Sequence, residues 1–374
     1  MRRAALLALL ANFPVLAIAA LNELPTTAQE VPRQVRGEDV AGVYDRGAWV
    51  VVPIPILNPV LDGGVILGVG YFHPQTKEQA AAQPASVSGA GALYTSNGSR
   101  GALVGHQGYR DGDRWRYSIV GGRAAVKIDL IAPDDTGGLL GVDWEIDGWA
   151  AAFEVDRRLG DSNMYVGLRG RVLQADQTFG VYIPPLDDLG FELENTIKSR
   201  GFGVDFMRDT RDLTTNPSSG SLLKLAYFVN AEALGGDTDY QTLDGYLRLY
   251  GRVSNSVVLA GEVRGCHKNG DVPLWDACML SLRGFPATDY LARQVAQARV
   301  EARWQMAKRW GLVAFGGAGD VENAFSGKDK VGSVESYGLG LRFMVLPQKR
   351  LNMRLDYGRS ESGGAWYISV GEAF

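Results

Sequence analysis

Arg283 is the side chain in this sequence best suited to a fixed polar contact. It stands in Leu282-Arg283-Gly284-Phe285. A guanidinium carries five donors in a rigid fork, has no neutral form, and suits two-point contact with a carboxylate. Gly284 lets the chain turn close to a wall, and Phe285 can pack beside it. The natural partner is Glu301, which shares with Gln297, Arg299 and Arg303 the polar side of an alternating run. The two cysteines, Cys266 and Cys278, stand close together. Two thiols and the neighbouring His267 do not complete a zinc site, and in an oxidising compartment they are expected to pair. Of the histidines, His73, His106 and His267, His106 has no serine or acid partner by spacing. His106 reads as a wall or lumen histidine. With no phosphate loop, dinucleotide fingerprint or metal-ligand cluster in the sequence, the expectation is no enzyme, no cofactor and no metal.

The elements that would position these residues are strands. In Leu351-Asn352-Met353-Arg354-Leu355-Asp356-Tyr357 apolar and polar positions alternate, and likewise around Tyr337, Leu339, Leu341, Phe343 and Val345. Period-two alternation makes a strand with one apolar face. The opposite faces carry Arg248, Arg264, Arg299, Glu301, Arg303, Arg342, Arg354 and Asp356, which suits a charged lumen. Connections alternate too. Short turns fall at Arg110 to Asp113, Leu159 to Ser162, Ser254-Asn255, Ala307-Lys308 and Pro347-Gln348. Longer connections run from about Ala124 to Leu140, Ala175 to Asn195, Gly265 to Arg293 and Asp320 to Ser333. That asymmetry marks a transmembrane antiparallel β-barrel, here of about 16 strands, with short periplasmic turns and long external loops. The stretch from 73 to 85 is long where a short turn belongs. In lipid only a closed barrel satisfies the polar groups of a β-chain.

Composition agrees. The 374 residues include 48 glycines, with net charge −4 and 46% hydrophobic content, and the mean hydropathy is slightly negative. A basic nucleic-acid footprint is absent, as are repeated apolar runs of about 20 residues. The one long apolar run, Ala4 to Leu21, follows Arg2 and Arg3 and reads as a Sec-type signal peptide. Cleavage after Ala28 is preferred to cleavage after Ala19. The expected organisation is a signal peptide at 1–28, a short periplasmic leader at 29–46 and an outer-membrane barrel at 47–374.

Four landmarks in order resemble the barrel of the outer-membrane assembly superfamily (the BamA/TamA-type, bacterial surface antigen family), over roughly Val50 to Phe374. Asp209-Thr-Arg211-Asp212 with Asn216-Pro217-Ser-Ser-Gly220 is similar to that family's periplasmic turn between strands eight and nine. Leu282 to Phe285 resembles the motif at the tip of the sixth external loop. Glu301-Ala-Arg303 is similar to the next strand's lumen motif. Trp366, Ile368, Val370, Gly371 and Phe374 resemble the C-terminal sorting signal, with Trp366, Ile368, Val370 and Phe374 read as one exposed apolar face. The resemblance implies a loop folded into the lumen, with Arg283 on Glu301. It also implies a second acid in a Phe-x-Asp-x-Gly pattern. Here that pattern reads Phe315-Gly316-Gly317-Ala318-Gly319, so Arg283 is expected to have fewer partners. By that reading Asp209, Arg211 and Asp212 cross-pair in a turn fixed by Pro217 and Gly220.

The resemblance further implies insertion of proteins at a weak seam between first and last strands, with Gly371 weakening the last one. The alternative is a passive channel or an outer-membrane integrity protein. Expected partners are outer-membrane lipid, the cell's barrel-assembly machinery during biogenesis, and a separate periplasmic protein, because 28 to 50 leaves no room for a client-capturing domain. Nucleic acid is not expected.

Overall fold

A computed structural model describes residues 47–374, except 59–61, 132–140, 184–185, 286–289, 325–329, 348–349 and 362. The signal peptide and leader expected at 1–28 and 29–46 lie outside the described residues.

The chain forms one 17-stranded sheet. Its first strands are β1 (Ala48–Asn58), β2 (Asp62–Phe72), β3 (Val87–Thr95), β4 (Arg100–Arg110), β5 (Trp115–Ile131) and β6 (Gly141–Arg158). Then come β7 (Met164–Ile183), β8 (Leu186–Asp209), β9 (Gly220–Asn230), β10 (Tyr240–Arg252) and β11 (Val257–Gly270). The last are β12 (Cys278–Met279), β13 (Leu291–Gln305), β14 (Trp310–Ala324), β15 (Lys330–Leu346), β16 (Leu351–Ser360) and β17 (Gly363–Val370). Successive wall strands pair antiparallel, β11 pairing with β13. The two-residue β12 belongs to the intervening loop and adds to the end of β13 through Cys278↔Ala292 and Met279↔Leu291. β1 and β17 touch at their edges, but no ladder joins them among the described residues.

Which side faces lipid follows from exposure. Val300 is 63% and Leu339 67% exposed, whereas Glu301 is 1% and Asp356 0% exposed. Greasy residues outside and charges inside invert the pattern of a soluble protein and match a membrane barrel. This is the all-β transmembrane architecture that the alternation calls for.

Two features differ from the sequence reading. Strand occupies the described part of the connection expected from Ala124 to Leu140, through Ile131, and all the described residues of the one expected from Ala175 to Asn195. β7 has 20 residues and β8 has 24, against about 10 needed to cross a bilayer. Above the membrane both faces of such a ribbon meet water, and every residue from Glu192 to Thr196 is exposed. The apolar–polar contrast that betrays a strand is therefore missing there. The stretch from 73 to 85 is the other surprise. It holds a six-residue helix, Lys77–Ala82, started by a capping box between Thr76 and Gln79. Gln83 then donates to the Tyr109 carbonyl and accepts from the Gly112 amide, each at 3.0 Å. The insert thus lies against the β4–β5 turn at the short-turn rim.

Candidate functional site

The loop between β11 and β13 enters the lumen and is fastened at several points. At its base, Cys266 of β11 and Cys278 of β12 form a disulfide, with Cα atoms 5.8 Å apart. Beyond it Leu280, Leu282 and Phe285 are buried with Ala292, Val295, Val321 and Val334. The inner face of β14 is shaped for them by lacking side chains. A Cβ on Gly319 would fall 2.4 Å from Leu280 Cδ1, and one on Gly317 would fall 2.8 Å from Leu282 Cδ2. An acid at 317 would therefore occupy the seat that Leu282 fills.

Arg283 has its second carboxylate all the same, from Asp356, which the sequence placed in the lumen but did not pair with it. One guanidinium nitrogen contacts Glu301 of β13, and the other donates to Asp356 Oδ2 of β16 at 2.5 Å. The expectation of fewer partners is corrected accordingly. The guanidinium lies 3.4 Å from the centre of the Phe315 ring, so a cation–π contact is added between two ion pairs. Gly284 adopts φ 113°, a region that favours glycine. Its amide donates to Tyr367 Oη at 2.8 Å, and its carbonyl accepts from Ser360 Oγ at 2.6 Å. The loop tip is thereby clasped by β16 and β17.

The network runs on from both acids. Glu301 accepts from Arg303 Nε at 2.8 Å. Asp356 accepts from Arg342, which also donates to Glu372 at 2.9 Å. Arg303 donates to the main-chain oxygen of Phe374 at 2.7 Å. Here the reading of the C-terminus needs correction. Trp366 is exposed on the outer face, but Phe374 is buried with Tyr250 and Ala260. β17 ends at Val370, and Gly371 takes φ 90° while its amide donates to the Asn352 carbonyl at 2.7 Å. The positive φ breaks the alternation and turns Glu372 to Phe374 under the rim into the lumen. Phe374 therefore does not share one exposed face with Trp366, Ile368 and Val370. Gly371 marks the turn out of the strand and does not interrupt pairing within it.

A second anchor of the same loop escaped the sequence reading. Asp276 is buried and meets Arg171 of β7 at 2.7 Å, Lys268 of β11 at 2.9 Å and the Tyr240 hydroxyl of β10. Burial alone would raise its carboxyl, but Arg171 and Lys268 outweigh that and hold it well below the usual carboxylate range. Its one signal in the sequence was position, an acid between the two cysteines. With Arg283 on β13 and β16, and Asp276 on β7, β10 and β11, the loop is tied to both sides of the lumen.

Between β8 and β9, Arg211 does pair with Asp209, at 2.9 Å, and Arg116 of β5 reaches the same carboxylate at 2.9 Å. Asp212 takes no arginine in this turn. It accepts from the amides of Leu213 at 3.0 Å, Ser218 at 2.8 Å and Ser219 at 3.1 Å, and Pro217 lies buried within that span. Gly220 takes φ 97° against the Thr210 carbonyl.

His106 does acquire a serine partner. Ser88 Oγ lies 2.8 Å from both His106 Nδ1 and His73 Nε2. Tyr71, Ser88, His106 and Ile119 stand opposite one another in successive strands, and Ile119 is exposed on the lipid side. The group is therefore on the outer wall, not in the lumen. No carboxylate hydrogen-bonds either ring among the described residues, so the base of a nucleophilic triad lacks its orienting acid.

The comparisons with known proteins fit this geometry. The profile described as Omp85 superfamily domain matches residues 176–374. Among solved structures, BamA from Haemophilus ducreyi lacking POTRA domains 1–3 aligns with TM-score 0.53 at 12% identity, over 87% of this chain and 69% of that one. CdiB from Acinetobacter baumannii aligns with TM-score 0.55 at 10% identity, over 87% of this chain and 59% of that one. CdiB from Escherichia coli aligns with TM-score 0.54 at 11% identity, over 86% and 61%. This chain thus spans about three fifths of either CdiB chain. No curated protein matches it. At such identities the solved structures speak for the fold, and the profile match, covering more than half of the chain, speaks for the family: this chain belongs to the Omp85 superfamily.

Proposed function

We propose that this barrel is a minimal protein-insertion or membrane-homeostasis factor of the outer membrane, exported by the signal peptide at its N-terminus. The observation that carries the reading is the loop tied across the lumen at Arg283 and Asp276. A lumen spanned by a fastened loop suits solute passage poorly. The β1–β17 edge, with no ladder joining it among the described residues, is then the place where the wall can exchange with a client strand or with lipid. Strand addition to an open edge supplies main-chain hydrogen bonds without demanding a client sequence. A separate periplasmic protein would bring clients to that edge, and the cell's barrel-assembly machinery would insert the protein itself.

The test is reconstitution into liposomes with a urea-unfolded eight-stranded barrel as client, its folding followed by the mobility shift between heated and unheated samples. Acceleration over empty liposomes, abolished by a disulfide engineered between β1 and β17, is the expected result. No acceleration, together with large steady conductance in planar bilayers, would place the channel alternative first.

A further inference from the structure

A second charged cluster lies in the wall, away from the loop. Asp156 of β6 and Asp205 of β8 stand opposite the same residue, Gly167 of β7, one on each side. Because glycine has no side chain, the two carboxylates occupy its place. A Cβ on Gly167 would fall 2.2 Å from Asp156 Oδ1, and 2.8 and 3.0 Å from the two oxygens of Asp205. Glu154 is the next inward residue on β6, and one oxygen from each of the three carboxylates lies within 4.8 Å of the others.

Acidic neighbours alone mean little; their unmet hydrogen bonding is the second observation. Asp156 is 4% and Asp205 5% exposed, yet Asp156 Oδ1 and both Asp205 oxygens have no hydrogen-bond donor. The local cations are committed to Glu154. Arg169 donates to it at 2.6 Å, and Lys224 contacts its other oxygen. From Asp205 the same two groups stand off at 3.8 and 4.0 Å, beyond hydrogen-bonding reach. Two buried carboxylates and the half-buried Glu154 therefore face two cations. Like charges so placed are costly unless a positive species sits between them.

We propose that Asp156 and Asp205, with Glu154 at their side, bind a hard divalent cation, Ca²⁺ or Mg²⁺. An all-oxygen donor set without histidine or thiolate selects such ions over zinc or copper. The cluster lies near the ends of β6 and β8 that lead into the short turns, so the ion would enter from that mouth.

The test is calorimetric titration of the chelator-treated barrel in detergent with CaCl₂ and with MgCl₂, alongside Asp156→Asn and Asp205→Asn. One saturable site per chain is expected, with a dissociation constant on the order of 10⁻⁴ M, weakened at least tenfold in each variant. The wild-type unfolding temperature should rise with cation concentration, as it must when a ligand binds only the folded state. Absence of a saturable site in the wild type would overturn the proposal, and unfolding temperatures in the Asn variants at or above wild type would then assign the pair a shared proton. Binding of undiminished strength in either variant would overturn it as well. If Asp205→Asn does not fold, Asp156→Asn and the wild type decide the matter.

Discussion

Arg283 and Asp356 are 73 residues apart along the chain, and their side chains meet at 2.5 Å inside the barrel. The contact joins the loop tip to β16, while the same guanidinium holds Glu301 of β13. Breaking one side of a buried pair costs about 3–5 kcal/mol, because a charge is left uncompensated. Arg283→Ala is therefore expected to free the loop tip while the wall stays folded, and Asp356→Ala to do much the same. In a double-mutant cycle read by protease cleavage of the loop, the double variant should be little worse than either single one. Additive losses would mean that the two side chains act separately.

Gly317→Asp tests why the family's second acid is missing. Restoring it should loosen the loop, since any Cβ at 317 meets Leu282 Cδ2 at 2.8 Å and the Ala298 carbonyl at 2.8 Å. Overpacking of this kind costs about 1–3 kcal/mol. Increased protease resistance in the variant would show that Leu282 can move aside and that Arg283 had wanted a third acid.

Asp276 gives the loop a pH dependence of known sign. Its native carboxyl is held below the unfolded value, which is near 3.9. The stability it adds is full above that value and is lost as pH falls through the lower native one. Loop protection from an acid-active protease should thus persist at about pH 5 and fail only well below pH 4. Asp276→Asn should already be cleaved at neutral pH. Loss of wild-type protection between pH 6 and 5 would show that another group controls the loop.

Reducing the Cys266–Cys278 bridge should leave the loop docked. A disulfide closing so short a loop is worth about 3 kcal/mol in the chain-entropy model, and the contacts of Asp276 and Arg283 remain. The unfolding temperature should drop on reduction while the cleavage pattern of the native loop stays the same. Wholesale release of the loop would make the disulfide its principal tie.

The outward face is tested by Leu339→Arg, which should cost about 2–4 kcal/mol near the bilayer midplane. Asn352→Leu, on the inward side of β16, should cost less, through the lost hydrogen bond to Glu372. Comparable losses in heat-modifiable mobility would reverse the assignment of faces.

The periodicity of the sequence determined the barrel and its inward and outward faces, while the infolded loop that carries Arg283 followed from the resemblance of its motifs to a known family. A strand's side chains alternate whatever its neighbours do, so Val300 and Glu301 declare their faces locally. The same logic misled at Phe374, because one glycine at positive φ turns the chain and cancels the alternation. It also lost the upper parts of β7 and β8, where water on both sides removes the contrast. Pairings across the lumen lay beyond the sequence altogether. Asp356 on Arg283, Asp276 on Arg171, and Asp156 beside Asp205 across Gly167 depend on which strands curve round to face one another and on which wall positions lack a side chain. Curvature and free space are properties of the curved sheet, and only the tertiary structure supplies them.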